Sequence, residues 1–130
     1  MESRQKVIIA DDERAVRDLL ETIFSESYDV NTASDGKQAL DTYLTSGDNC
    51  SPARAVITDR QMPGKDGFYL ASEIRKYDPD IPIVMLSGGL SQQDIERAYS
   101  SGITHIEQKP IKDFIEFKSN IDKLVLDYLR

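Results

Sequence analysis

The sequence predicts an α/β fold: a doubly wound, five-stranded parallel sheet in spatial order 2-1-3-4-5, carrying five helices. Two observations predict it. Short apolar runs alternate five times with helix-like stretches, and strict strand–helix alternation implies parallel strands joined by right-handed crossovers. Three of the runs, KVIIA (6–10), ARAVIT (53–58) and IPIVMLS (81–87), are apolar without alternation, as expected of strands covered on both faces. The other two, 28–33 and THIEQ (104–108), alternate and so belong at the edges. Buried strands one, three and four between edge strands two and five fit that order, whose functional crevice lies at the carboxyl ends of strands one and three.

The helices follow in turn. Val16, Leu19, Leu20 and Ile23 follow the i, i+3, i+4, i+7 spacing of one helical face. Asp35 and Gln38 form a candidate capping box for a second helix with Leu40, Tyr43 and Leu44 inward. FYLASEIRKY (68–77) reads as a third helix, closed by the breaker run DPDIP. Ser91 and Asp94 offer another capping box, ahead of a short helix with Ile95, Ala98 and Tyr99 inward. Phe114, Phe117, Ile121, Leu124 and Tyr128 mark one face of a long last helix, with Pro110 near its first turn.

At 130 residues the chain is expected to form one domain, residues 1–130, large enough to bury a core. Its 39% hydrophobic and 30% charged residues suit an ordinary globular protein. A formal net charge of −7 disfavours direct nucleic-acid binding and anionic membrane surfaces. The start MESRQKVIIADDERA is neither a signal peptide nor a membrane span. Cys50 is the lone cysteine, reads as a loop residue, and suits a reducing cytoplasm.

The chemistry gathers where the strands end. Strand one runs into Asp11 and Asp12, strand three into Asp59, strand four into Ser87, Gly88 and Gly89, and strand five into Lys109 and Pro110. Ser34 and Asp35, after the edge strand, read as helix-start residues only. Three ionised carboxylates about 5 Å apart repel by roughly 3 kcal/mol per pair at an effective dielectric of about 20. One lysine cannot neutralise three such charges; a hard divalent cation with oxygen ligands would. With Lys109 as a point charge and Ser87 as a hydroxyl donor, the rim suits a phosphoryl group, and aspartate can itself be the nucleophile. Any one of these acids alone reads as a cap, and Asp12 could cap the first helix. The convergence argues otherwise for Asp59.

The set Asp11–Asp12, Asp59 within DRQMPGKDG, Ser87–Gly88–Gly89 and Lys109–Pro110 resembles the receiver domain of two-component response regulators, over the whole chain. The resemblance implies a flavodoxin-like fold and an Asp59 that accepts a phosphoryl group from a sensor histidine kinase or a histidine phosphotransfer protein. It implies Mg²⁺ (or Mn²⁺) held by Asp11, Asp12, Asp59 and the backbone carbonyl of Gln61. Lys109, the Ser87 hydroxyl and the backbone N–H groups of Arg60 and Gly88 would contact the phosphoryl oxygens. Met62, Pro63, Gly64 and Gly67 would shape the loop presenting Asp59, while Gln61 and Gly89 would tune the phosphoryl lifetime. Such a domain is a cytoplasmic phosphoacceptor rather than an enzyme. It signals to a downstream protein or a fused output domain, through a surface expected on the fourth helix, fifth strand and fifth helix.

One departure stands out. The family usually carries Tyr or Phe three residues before the lysine as a switch coupled to the hydroxyl; here that position is Ile106, with Tyr99 or His105 as possible substitutes. His105 alternates with Ile106 and reads as a surface residue. Three other functions share parts of this pattern. A flavodoxin-type FMN carrier needs a neutral phosphate loop, whereas ADDERA is acidic. An aspartate-nucleophile phosphatase expects a second acid where Gln61 stands. A receiver-like interaction module that is never phosphorylated would be expected to lack one of the charged residues, and none is missing.

Overall fold

In the computed structural model, described for residues 4–45 and 52–130, five strands and five helices alternate without exception. They are β1 (Lys6–Ala10), α1 (Arg14–Phe24), β2 (Asp29–Ala33), α2 (Gly36–Thr45), β3 (Ala53–Asp59), α3 (Gly67–Arg75), β4 (Ile83–Ser87), α4 (Gln92–Ser100), β5 (His105–Gln108) and α5 (Phe114–Leu129). The sheet is parallel in the order β2-β1-β3-β4-β5. Cys50 lies outside the described residues.

The apolar runs have a direct cause. Neighbouring residues of a strand face opposite sides of the sheet, and here both sides are covered. Ile8, Val56, Ile83 and Met85 pack with Leu70, Ala71 and Ile74 of α3, Ala39 of α2 and Ala98 of α4. Val7, Ile9, Ala55, Ile57, Val84 and Leu86 pack on the opposite side with Leu20 and Phe24 of α1 and Phe117, Ile121 and Val125 of α5. On that side Phe24 and Phe117 meet edge to face, 5.9 Å apart, the geometry that ring quadrupoles favour. Each fully buried Leu, Ile or Phe contributes about 1.5–3 kcal/mol, so the central strands are a rigid post for whatever follows them.

Helix starts follow the sequence with adjustments. Ser91 and Asp94 form the full reciprocal capping box of α4. Asp35 accepts the Gln38 N–H at 2.7 Å, but the Gln38 side chain reaches the Ser34 N–H instead of closing the box on Asp35. Pro110 lies outside α5, after a cis Lys109–Pro110 bond, and the helix is capped by Asp113, which accepts the Glu116 N–H at 2.9 Å.

The buried faces also need correction. Leu19, Leu44 and Tyr99, expected inward, are 46%, 41% and 51% exposed, because Phe24, Ala39 and Ala98 take the positions nearest the sheet. Periodicity identifies a stripe about 100° wide; only packing selects its centre.

Candidate functional site

Hydrogen bonds continue the sheet one residue past β1, β3 and β5 and so place the rim residues. The Asp11 N–H donates to the Ala33 carbonyl at 3.0 Å, the Arg60 N–H to Leu86 at 3.0 Å, and the Lys109 N–H to Ser87 at 2.8 Å. Buried Thr58 donates its hydroxyl to the Asp59 carbonyl at 2.9 Å. At Gly67, an added Cβ would lie 2.5 Å from the Asp59 carbonyl oxygen, so only glycine lets α3 begin this close to the site. Gly64, with φ of +73°, makes the turn in the same loop, and Met62 is buried beneath it.

The predicted residues meet. The Lys109 ammonium lies 2.8 Å from Asp11 Oδ2 and 3.3 Å from Asp59 Oδ1. Asp11 is fully buried; Asp59 and Ser87 are nearly so. Asp59 Oδ1 also accepts the Arg60 N–H at 2.9 Å. A hollow of about 490 Å³ is lined by Asp12, Asp59, Arg60, Gln61, Ser87, Gly88, Gly89 and Lys109, together with Glu13. Gly88 and Gly89 leave open space on their side-chain positions.

Glu13 was not singled out from the sequence, although it continues the acidic run of Asp11 and Asp12. Its Oε1 lies 3.8 Å from the Lys109 ammonium, a fourth carboxylate on the rim. Asp12 does not cap α1. That position falls to Glu13, which makes no side-chain cap, while Asp11 Oδ1 accepts the Glu13 N–H at 2.9 Å. Asp12 therefore stands exposed at the mouth of the hollow, free of a capping duty.

The electrostatics carry the same imprint. Burial, and then the Asp11 charge, push the Asp59 carboxyl up to about 6, against the pull of Lys109 and the Arg60 N–H. Burial would lower Lys109, but its hydrogen bond to Asp11 and the charges of Asp11 and Asp59 outweigh that and hold it above the usual lysine range. One ammonium therefore does not satisfy the acids.

Asp11, Asp12 and Asp59 each offer an oxygen within 4.8 Å of the others. An all-oxygen, under-neutralised donor set of this kind fits a hard divalent cation such as Mg²⁺ or Mn²⁺.

Ile106 packs partly buried against the core beside a second hollow of about 430 Å³, shared with Ser87, Gly89, Ile95 and Tyr99. His105 is a surface residue, its side chain 46% exposed and 3.7 Å from Glu107.

A doubly wound parallel sheet with acids, a hydroxyl and a lysine at the carboxyl ends of its strands defines a signalling receiver architecture. The chain belongs to the response regulator receiver domain family, whose model matches residues 7–121. A probable transcriptional regulator, ycf27, from Guillardia theta is 43% identical over 88 residues, 67% of this chain and 32% of that protein. The chain thus spans about a third of the curated relatives it first matches. A CheY-like receiver domain protein from Methanospirillum hungatei superposes with a TM-score of 0.87 over 97% of both chains, at 20% identity, which shows the shared fold. A structure of the CheX–CheY–BeF₃–Mg²⁺ complex from Borrelia burgdorferi matches with a TM-score of 0.81 and 26% identity, over 94% of this chain and 90% of that one. Among the described residues, no helix is long and apolar enough to cross a membrane.

Proposed function

We propose that Asp59 is the phosphoacceptor of this receiver domain. The observation that carries the reading is the Lys109 ammonium shared between Asp11 and Asp59 at the edge of an open hollow. An Asp59 oxygen attacks the phosphorus of a phosphohistidine in line; the P–N bond breaks, its electron pair stays on the imidazole, and that ring then takes a proton from water. Lys109 neutralises charge on the transferred group, as positioning and electrostatics dominate phosphoryl transfer. The Ser87 hydroxyl and the Arg60 and Gly88 N–H groups supply hydrogen bonds to its oxygens. Asp11, Asp12, Asp59 and the Gln61 carbonyl would hold Mg²⁺ or Mn²⁺, which when bound offsets phosphoryl charge. Gln61 and Gly89, both lining the hollow, set how readily water reaches the product.

The donor is a sensor histidine kinase or histidine phosphotransfer protein, and the domain acts in the cytoplasm as a phosphoacceptor, not as an enzyme with a separate substrate. Residues 1–130 form a single receiver unit whose state is read by a downstream protein or a fused output domain. With every charged residue of the motif set present, the unphosphorylated interaction-module reading gains no support.

Incubation with acetyl phosphate and Mg²⁺ should give an acid-labile, hydroxylamine-sensitive phosphoryl label that is lost with EDTA and in Asp59→Asn. A label that persists in Asp59→Asn would overturn the assignment.

A further inference from the structure

The residue after Asp59 does more than lend its N–H. Arg60 Nη2 lies 3.4 Å from Asp94 Oδ2, and Nη1 donates to the Gly89 carbonyl at 3.4 Å. Asp94 belongs to the first turn of α4. Its N–H donates to the Ser91 hydroxyl at 3.1 Å, and its Oδ2 accepts the Ser91 N–H at 3.4 Å. The same carboxylate oxygen thus serves both the helix cap and the guanidinium. Gly89 lies with Gly88 in the loop that follows Ser87 at the end of β4. One guanidinium therefore spans the end of β3, the β4–α4 loop and the start of α4.

The grip is weak by construction. Both Arg60 contacts are long, its Nε is buried with no hydrogen-bond partner among the described residues, and the Arg60 and Asp94 side chains keep 24% and 28% of their exposure. Other cations nearby are engaged: Arg97 lies over the Phe68 ring at 4.2 Å, and Lys109 is held by Asp11 and Asp59. Arg60 also lines the hollow at Asp59. A phosphoryl group there brings nearly two negative charges and three acceptor oxygens, against one solvent-screened carboxylate already shared with a cap.

We propose that the Arg60–Asp94 pair is a latch: an anion on Asp59 draws the guanidinium away from Asp94 and Gly89, releasing the first turn of α4. This rests on the reading of Asp59 as phosphoacceptor. It gives the site a charge-based route to α4 that needs no aromatic at Ile106. The differential interaction a switch requires is the guanidinium's choice between two acids.

The test is amide NMR of the 130-residue chain with and without beryllofluoride and Mg²⁺, in wild type, Asp94→Asn, Arg60→Gln and the double variant. Asp94→Asn keeps an oxygen for the cap and removes the charge. In wild type, beryllofluoride should shift the amides of Ser91, Gln92, Asp94 and Ile95 as well as those of Ser87 and Gly88. In Asp94→Asn the α4 amides should already be displaced before beryllofluoride is added and move little afterwards, while the shifts at Ser87 and Gly88 persist. Arg60→Gln should give the same α4 pattern, and the double variant no more than either single one. Undiminished α4 shifts in Asp94→Asn, or additive changes in the double variant, overturn the latch. If no amide near Asp59 responds in wild type, the phosphoacceptor reading itself fails and takes the latch with it.

Discussion

The Lys109 ammonium lies 2.8 Å from Asp11 Oδ2, joining the end of an edge strand to the end of β1 across the mouth of the sheet. Asp11 is fully buried, and the side chain of Lys109 is only 18% exposed. Removing one partner of a buried pair leaves an uncompensated charge, a larger loss than the pair is worth.

Lys109→Met should therefore destabilise the metal-free protein by roughly 3 kcal/mol, the low end for breaking a buried pair, since Asp11 keeps the Glu13 N–H. Mg²⁺ should recover part of this by replacing the missing positive charge. Urea denaturation with and without Mg²⁺ measures both. Unchanged stability in metal-free buffer would show that the pair carries no such burden.

Asp59 makes stability depend on pH in the opposite sense to an ordinary ion-paired carboxylate. Its value is raised from 3.8 to about 6, so the folded state holds the proton more tightly than the unfolded chain. Stability should then fall as pH rises through that window and level off above it, by on the order of 3 kcal/mol for a shift of this size. Asp59→Asn should stabilise the metal-free protein near neutral pH, and the gain should shrink to nothing as pH drops below 3.8. Mg²⁺ should stabilise wild type more at neutral than at acidic pH, because protons compete for its ligand. Thermal melts across pH decide; an Asp59→Asn gain that does not vary with pH contradicts the burial argument.

Gly67→Ala separates helix propensity from packing. Alanine favours a helix by roughly 1 kcal/mol over glycine. The new Cβ, however, would sit 2.5 Å from the Asp59 carbonyl oxygen and 3.0 Å from Met85 Cε. Backbone cannot move aside as a side chain can, so a net loss of about 1–3 kcal/mol is expected, the usual range for overpacking. Labelling by acetyl phosphate should slow as Asp59 is displaced. A raised melting temperature would mean that α3 can shift without cost.

Much of this site is legible in the amino-acid sequence. The carboxyl-end rule turned five apolar runs into an address, and Asp11, Asp59, Ser87 and Lys109 do meet there. Other features were out of reach. Tyr99 shares its helical stripe with Ala98, and periodicity cannot say which of two adjacent apolar residues the sheet will accept. Asp12 is a plausible cap in a one-dimensional reading; the backbone assigned the cap position to Glu13 and the helix-start hydrogen bond to Asp11.

The sequence by itself determined the strand order and the charged residues at the rim, because both follow from local pattern: apolar runs, their alternation, and what stands next to them. Only the tertiary structure decided that Glu13 joins the rim, that Gly67 abuts Asp59, and that Arg60 reaches Asp94 across two loops. Those contacts link residues distant in the chain or depend on side-chain direction. They are settled by how loops pack over the strand ends, which no neighbouring residue encodes.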